Sequence, residues 1–144
     1  MGEIKTVLDE YQNAFNAHDE QRLRALYTDD AVFTAPGGVR LEGPDEIVAW
    51  NMAWLNAFPD ATATVDNEII SGDWATLQQT FKGTHTETFV TDEGDIPATG
   101  KGVVGRAGEV IRVKDGKIVE DHLYFDNMEL LTQLGLVPEN AATA

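Results

Sequence analysis

Three histidines, a closing strand that mixes acids with aromatics, and a helix bearing two of the three tryptophans are the parts of this 144-residue sequence that could do chemistry. Along the last strand a period of two puts Ile118, Glu120, His122, Tyr124 and Asp126 on one face and Val119, Asp121, Leu123 and Phe125 on the other. The second set is the more apolar, the ordinary signature of a core. The first lines up a histidine, a tyrosine and an acid, which is the signature of a pocket. Either face can point inward. Asp126 has two readings. Asp126-Asn127-Met128-Glu129 fits a helix N-cap with Glu three residues on. Buried among aromatics instead, the same carboxylate would have its pKa raised above the unperturbed ~3.9 by desolvation, and could take up and return a proton. His85, in Gly83-Thr84-His85-Thr86-Glu87, shares its parity with Phe81 and Glu87. It reads either as a histidine bonded to a neighbour at the sheet edge or as a pocket group that polarises a carbonyl or holds Asp126. His122 divides in the same way, and His18, after the first helix, reads as exposed. Trp50 and Trp54, four residues apart, share a helix face. They belong to a core or to the walls of a pocket for a flat hydrophobic ligand, with Phe33, Phe81 and Tyr124 completing those walls.

Other chemistries lack their residues. There is no cysteine, which removes disulfides, thiolate metal sites and a cysteine nucleophile. No His-x-His or His-Glu-x-x-His pair nucleates a metal site, so none is expected from His85, His122 and a carboxylate. The sole serine, Ser71, sits in the turn string Ser71-Gly72-Asp73, and no phosphate-cradling glycine loop is present, so no nucleotide cofactor is expected. With 10 basic and 25 acidic residues the net charge is −15, which repels phosphate backbones and anionic membrane surfaces. No nucleic-acid or membrane partner is expected. The start has neither a basic n-region nor an apolar core, and no run approaches the ~18 apolar residues of a membrane span. A soluble, cytoplasmic protein is the expectation. Gly2 with Thr6 fits a loose myristoylation pattern, but the residues around them read as a packed helix.

The elements that must position these groups fill one domain, 1–144. Ile4, Val7, Leu8, Tyr11, Ala14 and Phe15 recur at helical spacing. Asp19 can cap a short second helix bearing Leu23, Leu26 and Tyr27. A short strand at 31–34 is followed by a loop or hairpin marked by Gly37-Gly38 and Gly43-Pro44. A third helix opens at Pro44 and ends before Pro59. From Thr62 the texture turns to alternating threonine, valine and isoleucine, predicting strands near 62–70, 74–89, 101–114 and 117–125. Met128, Leu131 and Leu134 make a last helical turn or two, with Gly135 and Pro138 as its stop, and 140–144 is a tail with nothing to bury. Helices leading into consecutive antiparallel strands define an α+β fold. Long strands with Gly83, Gly102, Gly105 and Gly108 predict strong curvature, hence a concave face where function belongs.

Several strings carry a family likeness, in order and over nearly the whole chain. They are Trp54-Leu55-Asn56-Ala57-Phe58-Pro59-Asp60, Gly83-Thr84-His85-Thr86, Pro97-Ala98-Thr99-Gly100-Lys101, Asp115-Gly116-Lys117-Ile118-Val119-Glu120, and Phe125-Asp126 with Gln133-Leu134-Gly135-Leu136. With them the sequence resembles the SnoaL-like polyketide cyclases, a branch of the nuclear-transport-factor-2-like superfamily. The resemblance implies a cone-shaped α+β barrel in which one curved antiparallel sheet wraps N-terminal helices. It also implies a ligand pocket inside the cone and a homodimer or higher oligomer formed through the sheet. It implies ring closure of a polyketide ester by intramolecular aldol condensation, without metal or organic cofactor, and points to Asp126 as acid and base; the reading of the residues themselves adds His85 and His122 as its expected assistants. The same fold hosts isomerases, dehydratases and binding modules. One departure bears on substrate and acid/base pair alike: where relatives usually read Glu-His-Trp, this chain reads Glu120-Asp121-His122.

Overall fold

The structure, a computed structural model, describes residues 2–137; the expected stop at Pro138 and the tail 140–144 lie outside the described residues. Helix α1 (Gly2–Asn16) buries Ile4, Val7, Leu8, Tyr11 and Ala14 along one stripe. Asp19 opens α2 (Glu20–Arg24) by accepting the Arg22 amide at 3.1 Å. Strands β1 (Tyr27–Ala35) and β2 (Val39–Glu42) form a hairpin whose turn uses Gly37 and Gly38 at positive φ. Helix α3 (Gly43–Ala57) starts with Pro44 in its first turn. Then come β3 (Thr62–Ser71), β4 (Trp74–Thr84), β5 (Gly102–Lys114) and β6 (Lys117–Phe125), and a closing helix, α4 (Asn127–Gln133).

The fold is α+β, with a curved six-stranded sheet in the order β2-β1-β6-β5-β4-β3. Three expectations are corrected. The sheet is mixed, because β1 runs parallel to β6 while every other pair is antiparallel. The meander from β3 to β6 brings the chain back beside its own beginning, and after that many reversals it arrives in the direction of β1. Nor does the sheet close, since β2 and β3 remain as its two edges. The strand expected over 74–89 also stops early, at Thr84. The Asp60 carboxylate takes both the amide (2.7 Å) and the hydroxyl (2.8 Å) of Thr84. Beyond it only the His85 backbone pairs across, to Lys101 and Gly100, and a separate bridge joins Phe89 to Ile96.

The helices cover one face of this sheet, with α3 against β1 and α1 against β3. Two glycines permit close approach. A Cβ on Gly105 would lie 2.9 Å from Leu130 Cδ2, so α4 can sit down on β5. One on Gly83 would lie 3.0 Å from Phe58 Cβ. Inward residues of β5 are Val103, Gly105, Glu109, Ile111 and Val113, and among them the glutamate is out of character for a core. Each large apolar side chain sealed here contributes about 1.5–3 kcal/mol. A charge sealed with them needs a specific compensation.

Candidate active site

Between the helices and the sheet lies a cavity of about 90 Å³. Its walls are aromatic: Phe15 from α1, Trp50 and Trp54 from α3, Phe81 from β4 and Phe125 from β6. Trp54 organises them, with Phe125 edge-on at 5.7 Å and Phe81 edge-on at 6.0 Å. The polar lining is Tyr11, Gln12, Asn51, Gln79, Arg106 and Glu109, with Arg106 exposed at its rim. Asn51 gives one amide hydrogen to the Ile47 carbonyl (3.0 Å) and Gln12 gives one to the Ala63 carbonyl (3.3 Å), which leaves their amide oxygens for other partners.

Glu109 is fully buried and accepts from Tyr11 on Oε2 (2.8 Å) and from Gln79 on Oε1 (2.6 Å). Its strand position is opposite Leu123, and Ile111 is opposite Asp121, so Glu109 and Asp121 are diagonal neighbours on one face. Asp121 is equally buried and accepts from Tyr27 on Oδ2 at 2.9 Å. Four elements thus converge on one polar array, Tyr11–Glu109–Asp121–Tyr27. Burial pushes the Asp121 carboxyl well above the ordinary carboxylate range, and the facing Glu109 adds to the shift. Burial likewise raises both phenols well above their usual value, so they stay protonated donors.

The residues singled out in the sequence divide. Trp50, Trp54 and Phe81 line the cavity. Phe33 is buried behind Trp50, ring centroids 4.9 Å apart, and does not line it. Tyr124 is 60% exposed on the opposite face of the sheet. His122 shares that outer face, bonded to Thr34 Oγ1 (2.7 Å) and Glu120 Oε1 (3.1 Å). Asp126 is exposed, and its carboxylate accepts the Glu129 amide at 3.0 Å as the N-cap of α4. The cap is what its sequence context offers locally, and the carboxylate is off the cavity wall. His85 is buried but also off the wall, stacked on Phe58 at 5.2 Å. Its Nδ1 faces the Thr99 hydroxyl (3.0 Å) and accepts the Thr99 amide (3.3 Å), which makes it a clamp on the segment between β4 and β5. Burial holds its pKa below the ordinary value. His18, expected to be exposed, is half-buried and bonds the Ala61 carbonyl at 2.8 Å.

The inward face of β6 is the more apolar set, Asp121, Leu123 and Phe125, and a β-bulge at the start of the strand takes Ile118 out of the other set. Arg112 pairs with Glu120 and Val113 with Ile118, so Val119 is an extra residue and parity reverses across it. Ile118 and Asp121 therefore both point inward, while Glu120, His122 and Tyr124 point out. Glu109 escaped the sequence reading altogether. The available signal was an acid at a core-parity position of β5, together with Asp121 in the more apolar set of β6. Among the described residues, no three histidines or acids gather as a metal-holding group, and no helix is long and apolar enough to cross a membrane.

Residues 5–134 match the family described as SnoaL-like polyketide cyclase, and the chain belongs to that family. Solved structures agree. The protein is similar to AclR from Streptomyces galilaeus, a candidate hydroxylase, at 27% identity and TM-score 0.82, over 96% of this chain and 89% of that one. It is similar to IdmH from Streptomyces antibioticus, a candidate polyketide cyclase, at 29% identity and TM-score 0.76, over 91% of this chain and 97% of that one. An LEH-like epoxide hydrolase of M. tuberculosis shares the fold at 18% identity and TM-score 0.70, over 92% of this chain and 90% of that one. No match to the sequence is found among curated proteins. Family and neighbours support a small-molecule enzyme on this fold.

Two outcomes follow from these placements. Asp126→Ala costs about 1 kcal/mol in urea unfolding through the lost cap, and leaves the affinity of any cavity ligand unchanged; a larger loss of affinity than of stability would return Asp126 to the site. For His85, the folded pKa lies below the unfolded one, so the unfolded chain binds the extra proton and stability falls as pH drops below ~6.5. His85→Gln, whose amide oxygen can still accept from Thr99, flattens that limb of a pH series of thermal midpoints; an unchanged slope would remove His85 as its source.

Proposed function

We propose that the protein is an acid/base enzyme, working without metal or organic cofactor, that takes a hydrophobic carbonyl-bearing small molecule between Trp50, Trp54 and Phe81 and closes a ring in it by intramolecular aldol condensation. The observation that carries this reading is a buried carboxyl group, Glu109, on the wall of an aromatic cavity, with Tyr11 and Gln79 holding both its oxygens. In such a site Glu109 takes a proton from a carbon flanked by carbonyls, and the electron pair of the broken C–H bond is delocalised as an enolate. The enolate carbon then attacks a second carbonyl of the same molecule. A new C–C bond forms, and the proton on Glu109 passes to the resulting alkoxide, so the carboxylate is regenerated. The amide hydrogen of Asn51 not used by Ile47 is available for an enolate oxygen. Aromatic walls keep the reaction out of water, where the carbanion would be quenched.

Membership in the SnoaL-like family supports the substrate class, the description of AclR keeps hydroxylation as an alternative, and isomerisation and dehydration are alternatives that the fold itself hosts. The acid/base role that the family likeness gives to Asp126, with His85 and His122 as expected assistants, passes in this reading to Glu109 with Tyr11, which line the cavity where those three do not. Pairing of two copies through the outer face of the sheet fits the exposed Ile69, Trp74, Val104 and Tyr124 there. Sedimentation at micromolar concentration is expected to give twice the chain mass; a monomer under those conditions removes that arrangement.

The reaction is tested by incubating the protein with a panel of poly-β-carbonyl methyl esters and following cyclised product by chromatography. Glu109→Gln is expected to lower turnover by roughly 10²–10⁴, the usual worth of a positioned acid/base group, with ligand-induced thermal stabilisation retained. Turnover by that variant at the wild-type rate would end the assignment.

A further inference from the structure

The mechanism above uses Glu109 and leaves its neighbour without a task. Asp121 is as deeply buried as Glu109 but does not line the cavity, so it cannot touch a substrate there. Its Oδ2 accepts from Tyr27 at 2.9 Å, whereas its Oδ1 is buried with no hydrogen-bond partner among the described residues. Glu109 is the opposite case, with a donor on each oxygen at 2.8 and 2.6 Å. The groups facing the pair are Tyr11 from α1, Tyr27 from β1 and Gln79 from β4, and among the described residues no lysine, arginine or histidine bonds to either carboxyl. Arg106 lines the same cavity but is exposed and bonds to neither carboxyl. Two adjacent buried carboxylates with no cation bonded to them resist ionising together, while a single proton between them turns their repulsion into a hydrogen bond. The donors decide where that proton sits. Glu109 is surrounded as an acceptor, and Asp121 Oδ1, with nothing to accept, is the atom left to donate.

We propose that Asp121 is a positioning residue that carries a proton on Oδ1 and donates it to Glu109, so that Glu109 is held as the ionised member of the pair and aimed at the cavity. The inference rests on the reading of Glu109 as the cavity's acid/base group and deepens it. Tyr27 fixes the orientation of Asp121 through the other oxygen, which makes the two residues from β1 and β6 a rigid backing for the reactive one. The raised affinity of Asp121 for its proton, from burial first and Glu109 second, agrees with this arrangement. When Glu109 accepts a proton from a substrate carbon, the pair passes from one proton to two and becomes neutral, and its negative charge moves to the enolate in the cavity.

The test is infrared spectroscopy of the full chain in D₂O, read at the C=O stretch of protonated carboxyl groups. At neutral pH, where exposed carboxyls are ionised, the wild type is expected to show such a band and Asp121→Asn, whose amide can still donate to Glu109, is expected to lack it. A wild type without the band, or a band that survives in Asp121→Asn, overturns the proposal. Should that variant fail to fold, titration of the wild type alone decides. The band must persist to neutral pH, and its disappearance together with the exposed carboxyls near pH ~4 is the overturning result. Binding of 2-naphthol, a flat phenol able to donate to a carboxylate, tests the underlying reading separately. Glu109→Gln is expected to weaken it about tenfold, the worth of a hydrogen bond to a charged group. Unchanged naphthol affinity with the band pattern intact would sink the cavity-facing role of Glu109 and leave the shared proton standing.

Discussion

The constraint on which the site depends is that two acids lie side by side in a place from which water is excluded. Glu109 and Asp121 are both fully buried in a chain whose other acids, for the most part, lie at the surface. An unpaired ionised carboxylate in such a place would cost several kcal/mol. Evolution ordinarily answers that cost with arginine or lysine, and here it is answered with two phenols, an amide and a proton. Tyr11 and Tyr27 suit this work because burial keeps them protonated far beyond neutral pH, so they remain donors under all ordinary conditions. The arrangement ties α1 and β1 to the centre of the sheet. The elements that carry the donors are thereby fixed by the same contacts that make the acid usable.

The linkage that follows has a definite sign. Asp121 binds its proton more tightly in the folded chain than in the unfolded one, so folding takes up a proton at pH values between the two affinities. This contribution to stability is fully present below the unfolded carboxylate value and declines as pH rises toward the folded one. His85 works in the other direction, because its buried neutral ring disfavours acid. The two groups oppose each other in the acid range, while the net charge of −15 is carried largely by screened surface groups.

Much of the fold was legible because its signals are local. The stripe of Ile4, Val7, Leu8, Tyr11 and Ala14, the Asp19 cap, the Gly37-Gly38 turn and the Pro44 start are settled by neighbours within a turn or two. The parallel pairing of β1 with β6 was not legible, because it joins residues some ninety positions apart and leaves no mark in either strand alone. Trp50, Trp54 and Phe81 were legible as candidate walls because large aromatics on an inward stripe bound whatever space remains. Asp126 caps α4, and its own local signal, an aspartate with Glu three residues on, already described that cap. Glu109 and Asp121 lack a motif. What marks them is polarity at core positions, and that mark is visible only once the parity of each strand is known.

Parity on β6 turns on a single residue. Val119 stands opposite no partner between Arg112 and Val113, and every side chain after it is on the face opposite to the one that simple alternation from Ile118 assigns. With strict alternation from Ile118, Glu120, His122 and Tyr124 would face the cavity, and Asp121, Leu123 and Phe125 would lie on the outer surface. The chemistry of the cone would then rest on a histidine–glutamate pair, with Glu109 facing a base instead of a second acid. The bulge thus selects between two sets of side chains that the same strand carries, and it keeps Leu123 and Phe125 on the cavity wall. A one-residue slip is the cheapest way for a sheet to exchange its faces. Chains of this fold that differ by one insertion near the start of β6 would therefore present different acid/base groups to pockets with otherwise similar walls, which is a physical route by which one cone can host several reactions.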